Sequence, residues 1–387
     1  MSKKTGSHLK HFLLSIVENL SATAVTMVIV LIFVLFPLSF SRFNTIQTMR
    51  EQYNLMDTYF SISNRIGQKK PYRPISNQII IVDIKDVYNR DSLAHLFKSI
   101  VSAGPKAIGL DVFFDERKSE YADSILSKIT SLPHVVSPFM LKDEILGEDK
   151  TFATLQTSFY MDTPSPNSGF VNLATSGANE TCRIFSKTLT FDGKQVDNFD
   201  MALLKVISES DYTMAMKRAQ NDEYINYSLS SYSVFSAEAI SSNLDILKDK
   251  IILIGDREDI SDKHVTAVNA RMPGVDIHAM TLATMLNGRY VDTMSEFGAW
   301  VLAFFAIFLF LPFIRLMKKN EWTSIFCPIL QTLLIISAIF LCYVIFVSCG
   351  YYVRVVYALL GIGFIELGFN LYIKLKDLCV RLFSRWF

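Results

Sequence analysis

Lys248 to Asp292 reads KDKIILIGDREDISDKHVTAVNARMPGVDIHAMTLATMLNGRYVD, and the fold class follows from it. Ile251-Ile252-Leu253-Ile254 is a short, β-branched apolar run, stopped by Gly255 and the polar cluster Asp256 to Asp262. A run of that length between turn residues predicts a strand buried on both faces. Pro273-Gly274 then opens a helix. Ala279, Leu282, Ala283 and Leu286 share one of its faces, and Asn287-Gly288 ends it. Strand, long polar loop and helix together are a piece of an α/β domain. Soon afterwards the chain enters a long hydrophobic stretch, so the segment both closes a folded domain and joins it to a membrane.

The apolar content is concentrated. Half of the 387 residues are hydrophobic and 30 are Phe, a high share for a soluble protein. Four runs hold the excess: Ala22 to Phe40, Phe297 to Leu316, Ile325 to Val347 and Val355 to Ile373. Each is close to the roughly 20 residues that cross a bilayer, and four buried core helices of this kind are hard to accommodate in one chain. Lys3, Lys4 and Lys10 precede the first run. Arg315, Lys318 and Lys319 lie between the second and third, and Lys374, Lys376, Arg381 and Arg385 follow the fourth. The positive flanks predict two cytoplasmic termini and an extracytoplasmic Ser41 to Glu296. The first run lacks a small-x-small site near Pro37-Leu38-Ser39-Phe40, which favours an uncleaved anchor over a signal peptide. Residues 7–20 read either as an amphipathic surface helix or as an inward extension of that anchor.

A net charge of +1 gives no overall pull toward nucleic acid or an acidic partner. The five cysteines do not make a disulfide framework. A Cys182–Cys349 bridge is disfavoured because Cys349 belongs at the membrane edge. Asn179-Glu180-Thr181 fits a glycosylation pattern too short to carry a role.

Outside the apolar runs the chain divides into a helical stalk and linker over 41–78 and an α/β domain over 79–292. Ile79 to Asp83 predicts a buried strand. A helix follows, capped by Asp91 or Ser92, with Leu93, Leu96, Phe97, Ile100 and Val101 on one face and Gly104-Pro105 as its stop. Ala107 to Phe114 is the next strand, parallel to the first by a right-handed crossover. A helix over Asp123 to Thr130 and a strand over His134 to Met140 repeat the unit. Lys142 to Asn167 is less regular. Gly169 to Leu173, Arg183 to Phe185 and Leu189 to Phe191 suggest an antiparallel edge or insert. Phe199 to Ser208 reads as a helix, Tyr224 to Tyr227 and Ser233 to Phe235 as short strands, and Ala237 to Leu244 as a helical connector.

Asp83, Asp111 and Asp256 lie within or just beyond the C-terminal ends of proposed strands, and Asp115, Asp262, Asp276 and His278 follow the same strands. Ligands of open α/β sheets bind outside those ends, so this set is the candidate site for a cation or basic ligand. The alternative is that these residues cap helices and pin turns, and that His278 is a packed helical residue. Ile254-Gly255-Asp256 has neither dinucleotide glycine spacing nor a P-loop Lys. There is no nucleophile elbow and no Cys/His zinc spacing. No enzyme, metal site or cofactor is expected. In the fourth apolar run, Glu366 is an ionisable residue in lipid, by default a functional one. Arg315 or Arg354, a neighbouring helix, or a partner's membrane helix are its possible mates. Gly361, Gly363 and Gly368 thin the same helix for close approach. Pro312 and Pro328 are expected to kink theirs, and the inner Arg and Lys side chains can anchor on anionic lipid.

The order of short motifs resembles the second type of CHASE extracellular sensory domain. It runs I-I-V-D-I, a helix ending in A-G, I-G-L-D-V-F-F-D, then G-F-V-N, R-I-F, I-N-Y with F-S-A-E, I-L-I-G-D, P-G-V-D-I-H-A and L-N-G-R-Y. The resemblance covers Ile79 to Val291 and is most specific in the opening stretch. It implies a sensor between one leading and three closing membrane helices of a bacterial inner-membrane receptor. Its usual outputs are a histidine kinase, a nucleotide cyclase or a Ser/Thr kinase. The residues after the fourth run, KLKDLCVRLFSRWF, leave no room for such a domain, so output is expected from partner proteins, with dimerisation a family habit. The rival expectation is a static scaffold subunit of an envelope complex. A transporter is a weaker one, since a lone intramembrane Glu makes a poor pathway.

Overall fold

The computed structural model describes residues 2–35, 54–67, 78–145, 150–176, 180–228 and 232–383. The chain forms two compact units, one of Gln52–Val291 and one of Met1–Glu51 with Asp292–Phe387.

The first unit is built on a nine-stranded sheet. Its strands are β1 Ile79–Asp83, β2 Ala107–Asp111, β3 Val135–Glu144, β4 Thr151–Gln156, β5 Ser168–Phe170, β6 Thr188–Phe191, β7 Lys194–Asp197, β8 Tyr232–Ser236 and β9 Ile251–Gly255. The order is β7-β6-β4-β3-β2-β9-β1-β8, with β5 also paired to β3. From β8 through β1, β9 and β2 to β3 every pair is parallel, as is β3 with β5. The far edge is mixed, with β3–β4 and β6–β7 antiparallel and β4–β6 parallel. All five residues of β1 and of β9 are buried, which is why both read as continuous apolar runs instead of alternating ones.

The longer helices of this unit are α1 Leu55–Gly67, α2 Arg90–Ser102, α3 Glu120–Thr130, α4 Phe199–Ile207, α5 Glu209–Lys217 and α6 Gly274–Leu286, and Ala237–Ser241 is a short helix after β8. On one face of the sheet Ile80, Val82, Ile108, Leu110, Ile252 and Ile254 pack with Phe97 and Ile100 of α2 and Leu126 and Ile129 of α3. The other face meets α4, which lies on β2, β3 and β5, and α6, which lies on β1 and β9. Close seating of α4 depends on Gly109. A Cβ there would stand 2.8 Å from Leu203 Cδ1, 2.9 Å from Leu253 Cδ2 and 2.9 Å from Phe199 Cζ.

Several local expectations change. β1 and β2 are parallel, but β9 lies between them. Asn89, not Asp91 or Ser92, caps α2: its side chain accepts from Asp91 N at 2.8 Å, and the helix already begins at Arg90. Every residue of α6 from Gly274 to Met285 is buried, so it is not the one-faced helix its spacing suggests; α4 and α5 pack where solvent would be. Ser168–Phe170 joins the sheet in parallel, and Ile184–Ser186 leaves it to pair antiparallel with Asp222–Tyr224. Helix α5 had no sequence expectation. Of the stalk and linker, 54–67 and residue 78 are described; its remaining residues, with Pro37 to Phe40 and Asn179, lie outside the described residues.

Among the described residues of the second unit four helices are long and apolar enough to cross a membrane: Leu13–Leu35, Glu296–Met317, Glu321–Cys349 and Val356–Leu382. Ser2–Leu35 is one helix, so residues 7–20 continue the anchor. Ala22, Ile307, Leu311, Ile314 and Ile365 form a shared core between the first, second and fourth helices. Pro312 lies inside its helix, whereas Pro328 occupies the first turn of Cys327–Cys349, where its missing N–H costs nothing.

Candidate functional site

The C-terminal ends of three central strands are in register, with Gly255 of β9 flanked by Asp83 of β1 and Asp111 of β2. β1 and β2 lead into α2 and α3 on one face of the sheet, while β9 leads into α6 on the other. Such a reversal opens a crevice beyond the strand ends, where α/β sheets take their ligands. Here the topology places such a reversal on each side of β9.

The β1 side is closed by its own side chains. Asp83 Oδ1 accepts from the backbone N–H groups of Lys85 and Arg257, each at 3.2 Å. Asp276, in the first turn of α6, is buried and accepts from Arg257 Nε at 2.7 Å and Nη2 at 3.0 Å, and from the Tyr232 hydroxyl at 2.7 Å. Burial, then Asp276, raises the Tyr232 phenol above its ordinary value. This is a clasp joining β8, the loop after β9 and α6. Asp256 is exposed and accepts from Glu258 N at 2.8 Å in a local turn. Asp115, also exposed, accepts from Gln156 Nε2 at 3.0 Å.

The β2 side is different. Asp200, in the first turn of α4, is 1% exposed and places Oδ2 2.9 Å from Nδ1 of His278, which is 2% exposed. The Phe199 ring meets the imidazole edge-on at 5.1 Å. Burial alone would lower the His278 pKa. Asp200, with Asp111 and Asp262 behind it, outweighs that and pushes it up to about 9, while burial raises the Asp200 carboxyl against the pull of His278. Among the described residues, buried Asp200 Oδ1 has no hydrogen-bond partner. Asp262 bridges the loop to α6: Oδ2 accepts from Gly274 N at 3.1 Å, and Oδ1 stands 3.0 Å from His264 Nε2. Asp111 is half-buried at the end of β2. Withdrawal from water pushes its carboxyl up to about 6; Asp262 and Asp200 add to the rise, and His278 and His264 oppose it.

Of the residues read as site candidates, the structure gathers Asp111, Asp262 and His278 around one crevice. It commits Asp276 to the clasp and Asp83 to the backbone N–H groups of Lys85 and Arg257, and it gives Asp115 to Gln156 and Asp256 to a local turn. The sequence reading missed Asp200, His264, Arg257 and Tyr232. Asp200 carried a usable signal, since it sits in FDMALL, where Phe199, Met201, Ala202, Leu203 and Leu204 are all buried. A carboxylate there requires a partner. Among the described residues no group of three or more His, Cys, Asp or Glu side chains is placed to hold a metal ion. The β2-side cluster can hold positive charge and exchange protons.

In the second unit Glu366 pairs with Lys318 at 3.2 Å, not with Arg315 or Arg354. Arg315 Nη2 is 2.6 Å from Glu18 Oε2, and Arg354 Nη1 is 3.0 Å from Glu296 Oε2. Lys318 is the residue that caps the C-terminus of Glu296–Met317. Gly361 and Gly368 sit where helices approach closely: an added Cβ would come within 2.6 Å of Ile307 Cδ1 and 2.8 Å of Thr26 Cβ respectively. Gly363 has nothing within 4 Å.

A family model described as CHASE2 domain matches residues 25–314. No curated protein and no solved structure matches the chain.

Proposed function

The chain belongs to the CHASE2 domain family, a family of sensory domains, and from that premise we propose that it is a membrane sensor subunit of a bacterial inner membrane. The lobe of residues 52–291 lies in the periplasm and both termini lie in the cytoplasm. The ligand or protein signal is received at the C-terminal edge of the sheet. The signal is a change in the relative position of the helices Leu13–Leu35 and Glu296–Met317, which flank the lobe in the chain. Partner proteins in trans, of the kinase or cyclase kind that the family resemblance implies, take up the output.

The observation that carries this reading is the extent of the match. Residues 25–314 take in the end of the first apolar helix, the whole lobe and most of the second apolar helix. The positively charged flanks support the orientation. A sensor of this kind needs two arrangements that its input binds differently. Coupling is reciprocal, so constraining the helices must change the lobe. The test is the full chain in lipid nanodiscs with an engineered cross-link between Leu13–Leu35 and Glu296–Met317. Hydrogen exchange of the loops after β2 and β9 is expected to differ between the oxidised and reduced forms. Identical exchange would favour the static scaffold and sink the sensor.

A further inference from the structure

We propose that a buried hydrogen-bonded strip, Cys182-Arg183 with Ile225 to Tyr227, couples the loop after β9 to both chain ends of the lobe, the entry helix α1 and the exit at Arg289. This rests on the sensor reading of the lobe and names the residues that carry its signal.

The strip begins on the loop that leaves β9 at the strand ends, the side on which α/β sheets take their ligands. There the Val265 carbonyl accepts from Cys182 N at 2.8 Å, and Thr266 forms a parallel bridge with Cys182. Next in the chain, Arg183 reaches the entry helix. Its Nε donates to Asp57 Oδ1 and Oδ2, each at 3.1 Å, and its Nη2 donates to Oδ2 at 2.8 Å. Asp57 lies in the first turn of α1, so the helix N-terminus and the guanidinium favour the same carboxylate. The sequence predicts a stalk here, yet Met56, Tyr59 and Phe60 are buried and α1 belongs to the lobe.

The second half of the strip lies against the first. Arg183 O accepts from Ile225 N at 2.9 Å, and the Tyr227 hydroxyl donates to Cys182 O at 2.8 Å. Tyr227 meets the Phe60 ring of α1 edge-on at 5.9 Å, and its carbonyl accepts from Asn64 Nδ2 at 3.0 Å. Its neighbour Asn226 faces the exit. The Asn226 N–H donates to Thr284 Oγ1 in the last turn of α6, and Nδ2 donates to Arg289 O, each at 3.0 Å. Arg289 stands just before Val291, where the lobe ends. Cys182, Arg183, Ile225, Asn226 and Tyr227 are all buried. Parting any of these bonds would leave a buried polar group unpaired, which is costly. A shift of the loop therefore moves the strip, and the strip moves α1 and the exit together.

Coupling is established by a shared response, not by contiguity. The experiment is hydrogen exchange of the full chain in nanodiscs, in the natural sequence and in Asp57→Asn and Tyr227→Phe. The first removes a charge from the strip and the second a single hydroxyl. Protection is expected to fall at least about fivefold, the lower end of ordinary coupling between sites, in residues 55–67, 263–269 and 284–291 alike. Helices α2 and α3, on the other face of the sheet, should keep theirs. Asp115→Asn, on an exposed side chain, should change none of these. Tyr227→Phe keeps its ring packing and decides the matter if Asp57→Asn fails to fold. A loss that does not reach both 263–269 and 284–291 overturns the proposal. So does a uniform loss that includes α2 and α3, which is lower stability without coupling. If the effect spreads as expected while the helix cross-link leaves the lobe unchanged, the strip stands and the sensor falls. If the cross-link alters the lobe but neither 55–67 nor 263–269, the sensor stands and the strip falls.

Discussion

The clasp formed by Arg257, Asp276 and Tyr232 predicts an asymmetry among three substitutions. In Arg257→Ala the Asp276 carboxylate, whose side chain is 4% exposed, keeps only the Tyr232 hydroxyl. Breaking a buried pair so that a charge is stranded costs about 3–5 kcal/mol. In Asp276→Ala the stranded group is Arg257, whose side chain is 31% exposed. Water can reach the guanidinium, so the loss falls to about 2–3 kcal/mol, shared with the Tyr232 hydroxyl that loses its acceptor. Tyr232→Phe removes a hydroxyl while Asp276 keeps both bonds from Arg257, and costs about 1 kcal/mol. At about 2–4 °C per kcal/mol for a domain this large, the ranking is readable as melting temperature. Fluorescence will not report it, since Trp300, Trp322 and Trp386 all lie outside the lobe. Pulse proteolysis of the full chain after stepwise heating will. If Asp276→Ala is as damaging as Arg257→Ala, or Tyr232→Phe the worst of the three, the argument from exposure fails.

Two further outcomes follow from the same physics. His278 has a folded value of about 9 against an ordinary 6.5, so its pair with Asp200 stabilises fully below 6.5 and is lost as pH rises through 9. The lobe should melt progressively lower across that window, and His278→Gln should flatten the slope; equal slopes would exclude the ion pair. In the helical unit, Gly361→Val and Gly368→Val must displace Ile307 and Thr26, at about 1–3 kcal/mol each. Gly363→Val meets nothing within 4 Å and should be near neutral by heat-induced aggregation in detergent. Three similar melting points would contradict the packing described.

What the sequence made legible was whatever is written in short-range patterns. The runs at Ile79–Asp83 and Ile251–Gly255 are buried on both faces, and burial leaves a mark that needs no knowledge of neighbours. The four apolar helices were readable for the same reason. What could not be read is which strands touch. Nothing local to Ala107–Asp111 says that its neighbour is Ile251–Gly255 and not Ile79–Asp83. The site was half legible on the same ground. Strand ends are local, so Asp111 and His278 were visible. Asp200 reaches His278 across 78 positions, and Asp276 is spoken for by Arg257 and by an edge-strand tyrosine, pairings that exist only once the sheet is assembled. Helix α6 shows the limit most directly: its pattern is amphipathic, yet α4 and α5 bury the face expected to be wet.

The position of β9 also sets the order of events in time. Its two neighbours emerge from the ribosome early, and each has a bare hydrogen-bonding edge until Ile251–Gly255 arrives more than a hundred residues later. Contacts that distant in sequence are slow to form, and unpaired edges in the interval are where newly made chains go astray. The middle of this sheet is its last part to be finished, so a nascent lobe carries two open strand edges until its keystone strand is in place.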